Sequence, residues 1–203
     1  PPRPPGGMTP AKTGWQDTNE STEDAGVEKT LSTAAETYPE LSDLVATVQE
    51  QYDAYKANPT GYFDSVELFI LDTLVGGKNL NNYDLVKTLA ENSAPAIEWL
   101  STIGAALHNV GPFGGASVKR IHRPVDAEGK TVSVGSYIIP ILQKACEDNG
   151  VQIIFNAPAT EILMADGAAV GVKAEGYTVN AKSVVLATGG FGANLEMVAE
   201  LKP

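Results

Sequence analysis

The sequence predicts a mixed α/β chain: a helical first half, then a three-stranded antiparallel meander and a parallel strand ending in Ala187-Thr188-Gly189-Gly190. Three observations predict it. Apolar residues recur at spacings of three and four from about Ala34 to Ile103, the helical period. β-prone runs at 159–164, 168–174 and 177–180 are separated by Ala165-Asp166-Gly167 and Glu175-Gly176, both tight-turn signals. The run from Ser183 to Ala187 is short and essentially apolar, the pattern of a strand buried on both faces of a parallel sheet.

The elements follow in order. The proline-rich start, Pro1 to Gly7, suits neither a helix nor a central strand and lacks the apolar core of a secretory signal. A mature tail, an expression scar or a truncation point would each fit it. Thr9 to Thr33 is rich in Thr, Ser, Asp and Glu and reads as an extended loop. Leu41, Leu44, Val45, Val48 and Tyr52 then form one apolar helical stripe, stopped by Asn58-Pro59-Thr60-Gly61. A second helix, capped by Asp64 or Ser65, buries Val66, Phe69, Ile70 and Leu74 before Gly76-Gly77. A third begins near Asn82 and carries Leu85, Val86, Leu89, Ile97, Trp99, Leu100 and Ile103; Pro95 inside it predicts two helices or a kink. Ser136 to Asn149 reads as a helix with Ile138, Ile141, Leu142 and Ala145 on one face and Gly150 closing it. Val151 to Phe155 reads as a short buried strand, and a terminal helix starts near Asn194.

Composition narrows the function. Of 203 residues, 43% are apolar and 19% charged, which predicts a soluble globular chain with a real core. One cysteine, Cys146, excludes an intrachain disulfide and a cysteine metal cluster. Two histidines, His108 and His122, leave little for a histidine metal site. No apolar stretch is long enough for a transmembrane helix. The net charge of −11 argues against nucleic-acid binding, which needs basic surface. That charge is uneven: residues 1–82 carry a net −8 and residues 83–203 a net −3, as a solvated helical surface would give.

The first functional signal is the turn after the Ser183–Ala187 run. Ligands of open α/β sheets sit at the carboxyl ends of the strands, and two adjacent glycines let backbone approach a flat ligand. A plain strand-to-helix turn is the competing reading. The segment Ser183 to Asn194 resembles the flavoproteins of the fumarate reductase and succinate dehydrogenase superfamily, most closely the soluble flavocytochrome c-type fumarate reductases and urocanate-reductase-like proteins. Three further blocks agree: Gly111–Pro124, Gly76–Asn82 with Leu85-Val86-Lys87 and Ile97–Leu100, and Gly6-Gly7-Met8. The resemblance implies that residues 105–203 are part of a Rossmann-like FAD-binding fold, after an irregular segment 1–32 and a helical region 33–104. Residues from about Thr30 to Asn58 resemble the family least and read as an inserted helical segment.

Departures from the pattern are equally specific. The family's G-x-G-x-x-G/A turn, which cradles the FAD pyrophosphate at a helix N-terminus, does not occur in this sequence, nor does the acidic residue for the adenosine ribose. The family's catalytic arginine and its substrate-binding His and Arg match no position here. The chain therefore reads as an internal fragment of a larger reductase, cut on both sides, with no catalytic residue and no metal ligand of its own.

Residue by residue, the resemblance makes Gly6, Gly7 and Met8 the turn that approaches the isoalloxazine. Gly7, Met8, Phe113 and Gly114 would border the substrate pocket, with Phe113 where the fumarate reductases place a methionine. Ala159 matches the backbone contact to the adenine side, and Ala187, Thr188, Gly189 and Gly190 match the segment along the dinucleotide. Lys119, Arg120, His122 and Arg123 could steer an anion, but intrachain or surface ion pairs explain them as well. His108 reads as structural, Cys146 as an inert thiol, and Trp15 and Trp99 as packing residues.

The implied chemistry is reduction of the C=C bond of an α,β-unsaturated carboxylate by hydride from reduced FAD. The implied partners are a dicarboxylate or enoate substrate and an electron donor, haem or FMN, outside this chain. Two alternatives stand beside it. One is a non-catalytic interaction or structural module. The other is an FAD enzyme with a different substrate, such as urocanate, another enoate or an amine, because of Phe113.

Overall fold

The computed structural model describes residues 7–19 and 21–201. The chain divides into two compact units, Pro1–Val151 and Gln152–Pro203.

The first unit is mostly helical. Helices α1 (Asp24–Thr37), α2 (Ser42–Ala57), α3 (Val66–Gly76) and α4 (Tyr83–Thr102) precede a short antiparallel pair, β1 (Asn109–Gly111) and β2 (Ile121–Arg123), and helix α5 (Val134–Asp148). Helix α3 starts where the sequence requires: the Ser65 side chain accepts from the Leu68 N–H at 3.0 Å. Asn82 caps α4 in the same way through Leu85. Around α3, Val27, Leu31, Val48, Tyr52, Leu68 and Leu71 bury one core. A second core gathers Ile97, Leu100, Ala105 and Leu107, with Ile138, Ile141 and Leu142 of α5 packed on it.

Three expectations change in this unit. The predicted loop 9–33 contains a 3-10 turn at Gly14–Thr18 and most of α1, which begins at Asp24 rather than near Ala34. Its buried positions, Val27, Leu31 and Ala34, have helical spacing but are separated by Ser, Thr, Glu and Lys, so the stripe is narrow. Helix α4 also runs unbroken through Pro95. Pro95 and Glu91 are both exposed, so the carbonyl that loses its N–H partner lies on the wet face of the helix. Trp99, read as a packing residue, is 54% exposed.

The second unit is the predicted meander, β3 (Ala159–Ala165), β4 (Ala168–Ala174) and β5 (Tyr177–Asn180), in the order β3-β4-β5, followed by α6 (Leu195–Leu201). Asp166 and Gly167 both have positive φ, 50° and 79°, as a two-residue hairpin turn of this hand demands. The two other strands predicted from apolar runs are not formed. Residues 151–155 and 183–187 carry no strand pairing, and Val185 and Leu186 are 87% and 69% exposed. A strand exists only by hydrogen bonding to a neighbour, and among the described residues neither segment has one. The class remains mixed helix and sheet, with antiparallel pairing throughout the described residues. Among these residues no helix is long and apolar enough to cross a membrane, and no group of three His, Cys, Asp or Glu side chains is gathered for a metal ion.

Candidate functional site

In the first unit, the segment between β1 and β2 meets helix α3 over a cleft of about 300 Å³. Thr9, Phe69, Asp72, Phe113, Gly114 and Arg120 are among its walls. Phe113 is 48% exposed, so its ring is free to meet a ligand. Gly7 and Met8 lie beside β2 rather than in the walls. Met8 exchanges two backbone hydrogen bonds with His122, at 3.0 and 2.7 Å, and its side chain joins the second core. Gly7 must be glycine here, because a Cβ would fall 2.5 Å from Ile121 Cγ1 and 2.8 Å from the His122 carbonyl oxygen. Gly6 lies outside the described residues.

Beneath the cleft is a buried polar network. The Arg120 guanidinium, fully buried, grips Asp64 through Nε (2.9 Å to Oδ2) and Nη2 (2.7 Å to Oδ1) and Asp72 through Nη1. Burial opposes its charge, but the two carboxylates outweigh that and raise its pKa above the ordinary value. The carboxylates are themselves fully engaged. Gln16 Nε2 donates to Asp64 at 2.8 Å, Thr30 Oγ1 to Asp72 at 2.9 Å, and the Ser117 hydroxyl and N–H to Asp72 at 2.7 and 3.1 Å. The Phe69 ring lies under the guanidinium at 5.0 Å. Arg120 is therefore an intrachain ion-pair residue, buried rather than superficial. Lys119 pairs with Glu23 at 3.0 Å.

His122 is buried with both ring nitrogens occupied: Nδ1 faces the Arg120 carbonyl at 2.7 Å and Nε2 the Thr13 hydroxyl at 2.7 Å. The neutral ring satisfies both, donating from Nδ1 and accepting at Nε2. Burial lowers its pKa, and nearby His108 pushes the same way, against the Arg120 carbonyl. A depressed pKa means that the unfolded chain binds the proton more readily. Stability from His122 is thus complete above about pH 6.5 and declines as pH falls toward its lowered value. Urea midpoints at neutral and mildly acidic pH should fall less with acid in His122→Gln than in the wild type. Equal slopes would place the acid sensitivity elsewhere. His108 stacks on Trp15 at 4.3 Å, the structural role expected of both. Cys146 is a half-buried free thiol.

The second unit has a cleft of about 390 Å³ between β3–β4 and the 184–188 segment. It brings Ala159 together with Ala187 and Thr188, residues separated by nearly thirty positions. Ile162, Val172, Val184, Val185 and Leu186 make the lining of this slot largely apolar, with Thr160 and Glu161 among its polar members. Gly189 follows with φ +78°, and no atom lies within 4 Å of where a Cβ would stand at Gly189 or Gly190.

Residues 51–203 match the FAD binding domain family. The chain belongs to that family. It is 42% identical over 149 residues to the probable fumarate reductase Ifc3 of Shewanella frigidimarina, covering 70% of this chain and 25% of that protein. It is 38% identical over 153 residues to the urocanate reductase of Eggerthella lenta, covering 70% and 24%. Its fold matches the open conformation of a flavocytochrome c3 fumarate reductase with a TM-score of 0.62 at 41% identity, over 70% of this chain and 25% of that one. The chain thus spans about a quarter of the length of the relatives it matches.

For a member of this FAD-binding family the residues of the second unit fit part of the cofactor. A flat ring system needs apolar faces and backbone without protruding side chains. The slot has the first, and the glycine pair the second. The sequence led to Ala159, Phe113, Gly114 and the Ala187–Gly190 segment through resemblance, but not to Thr13, Gln16 and Asp72 beneath the first cleft. For Asp72 a signal existed: an acidic residue inside the apolar run Leu68–Leu74 is a candidate for burial, and a buried carboxylate needs a cation or hydrogen-bond donors.

Proposed function

We propose that the whole protein is a flavin-dependent reductase of an α,β-unsaturated carboxylate, to which this chain contributes part of the FAD bed and one wall of the substrate pocket. The observation that carries the reading is the cleft shared by Gly76, Phe113 and Gly114, residues of two of the blocks that resemble such reductases. Ala159, Ala187, Thr188, Gly189 and Gly190 would hold the adenine side and dinucleotide backbone of FAD. FAD, when bound, supplies the hydride.

The chain's own side chains position rather than react. Phe113 borders the cleft, where its exposed ring would meet the substrate's carbon skeleton. Arg120 and His122 are fully occupied by Asp64, Asp72, Thr13 and their own strand, so they hold the wall and leave proton delivery to other groups. Electrons would reach the flavin from a haem or FMN donor. The aromatic ring at Phe113 favours a second reading in which the enoate is larger or flatter than fumarate, urocanate being one such acid.

Full-length protein purified with added FAD should show flavin absorbance and oxidise a reduced dye when supplied with fumarate or urocanate. A colourless protein that cannot be reconstituted overturns the reading. Gly189→Val should lower FAD affinity by up to about tenfold: a β-branched residue is disfavoured at positive φ by about 1–2 kcal/mol, so the free turn relaxes to another conformation and FAD must restore this one. Unchanged affinity would remove the 187–190 segment from the cofactor bed.

A further inference from the structure

Gly115 and Ala116 border two recesses: the cleft that carries Phe113, and a second of about 330 Å³ walled by Gly26, Lys29, Thr30 and Thr33 of α1, which Ser117 also lines. A segment bordered by two recesses has fewer packing neighbours, so its hydrogen bonds carry more of its position. Gly111, Gly114 and Gly115 in the same stretch, the last at φ +92°, add backbone freedom. Its firm anchor is Ser117, whose N–H and hydroxyl both bind Asp72 Oδ2. The other oxygen of that carboxylate is held by Thr30 Oγ1 at 2.9 Å. Helix α1 also packs directly on Ser117, since a Cβ at Gly26 would overlap the Ser117 carbonyl oxygen.

Helix α1 lies outside residues 51–203, the part that matches the FAD-binding family. We propose that Thr30 is a positioning residue: through Asp72 and Ser117 it fixes the 113–117 wall and thereby tunes how tightly the cleft holds its carboxylate substrate. The link to substrate rests on the reductase reading above; the link to the wall does not. The Asp72 carboxylate has Arg120 and Ser117 on Oδ2 and Thr30 on Oδ1. Without the Thr30 hydroxyl it keeps its charge partner but loses the bond that fixes its rotation about the side-chain axis.

The test uses the full-length protein with FAD and compares wild type, Thr30→Val and Thr30→Ser. Valine preserves the shape and deletes the hydroxyl; serine retains it. One hydrogen bond of this kind corresponds to about three- to tenfold in a local opening equilibrium. Amide hydrogen exchange across 113–117 should speed up by about that factor in Thr30→Val, with α2 and α4 unchanged, and Thr30→Ser should restore it. KM for fumarate should rise by a similar factor at constant kcat. Unchanged exchange at 113–117, or a rise spread equally over all helices, overturns the positioning role. Faster exchange with an unchanged KM overturns the link to substrate. A flavin-bearing protein that reduces neither fumarate nor urocanate defeats the reductase reading, while the exchange result still decides the role of Thr30.

Discussion

Replacing Arg120 by methionine should lower the unfolding free energy by about 3–5 kcal/mol, because it leaves two carboxylates buried beside an apolar chain. The side chains of Arg120 and Asp64 are wholly inaccessible and that of Asp72 nearly so. In a chain of this size the loss corresponds to a melting point lower by roughly 6–20 °C. The cost comes from the orphaned anions rather than from the ion pair as such. Arg120→Met combined with Asp64→Leu should therefore be less damaging than the two single costs added together, since it removes one anion with the cation. It should not recover fully: Gln16 would lose its acceptor at Asp64, and Asp72 would remain charged with only Thr30 and Ser117 as donors. Urea unfolding of the single and double variants checks this. A single-variant cost under about 1 kcal/mol would mean that water reaches the pair.

The bounds of helix α3 are readable in the sequence because their signals are local, Ser65 at its start and glycines at its end. Its buried face is only partly readable: Val66 and Phe69, expected inside, are half-buried, while Leu68 and Leu71 are buried. The meander is readable because Asp166-Gly167 and Glu175-Gly176 name their own turns. Helix α1 is not, since Val27, Leu31 and Ala34 acquire their burial from α2 and α3, elements that come later in the chain. The runs 151–155 and 183–187 fail in the opposite direction. Their composition suits a strand, yet a strand is a property of a pair, and no partner strand lies among the described residues. At the site, Phe113 and Gly114 are found through a block of sequence that resembles a family. Thr30 and Asp72 are 42 positions apart in the chain, and only folding brings hydroxyl and carboxylate together.

Tyr52→Ala should cost about 3–5 kcal/mol, the range for deleting a buried aromatic side chain. Tyr52 is fully buried in the α1–α2 hairpin, its ring 5.1 Å from that of Phe63 and its hydroxyl donating to Asp24 of α1 at 2.6 Å. Burial, reinforced by the Asp24 carboxylate, raises the pKa of the phenol, so it remains a donor throughout the ordinary pH range. Tyr52→Phe removes only that bond and should cost about 1–2 kcal/mol. The two variants separate packing from hydrogen bonding. They also separate the seat of α1 from its fine contacts: Tyr52→Ala removes the ring on which the hairpin closes, while Tyr52→Phe leaves it in place. Because Gly26 and Thr30 ride on α1, the alanine variant should speed amide exchange in both α1 and residues 113–117, and the phenylalanine variant should leave 113–117 nearly unchanged. A Tyr52→Ala cost below about 1.5 kcal/mol would show that the hairpin opens independently of the core. In that case the wall of the cleft would rest on Asp72 and Arg120 without support from α1.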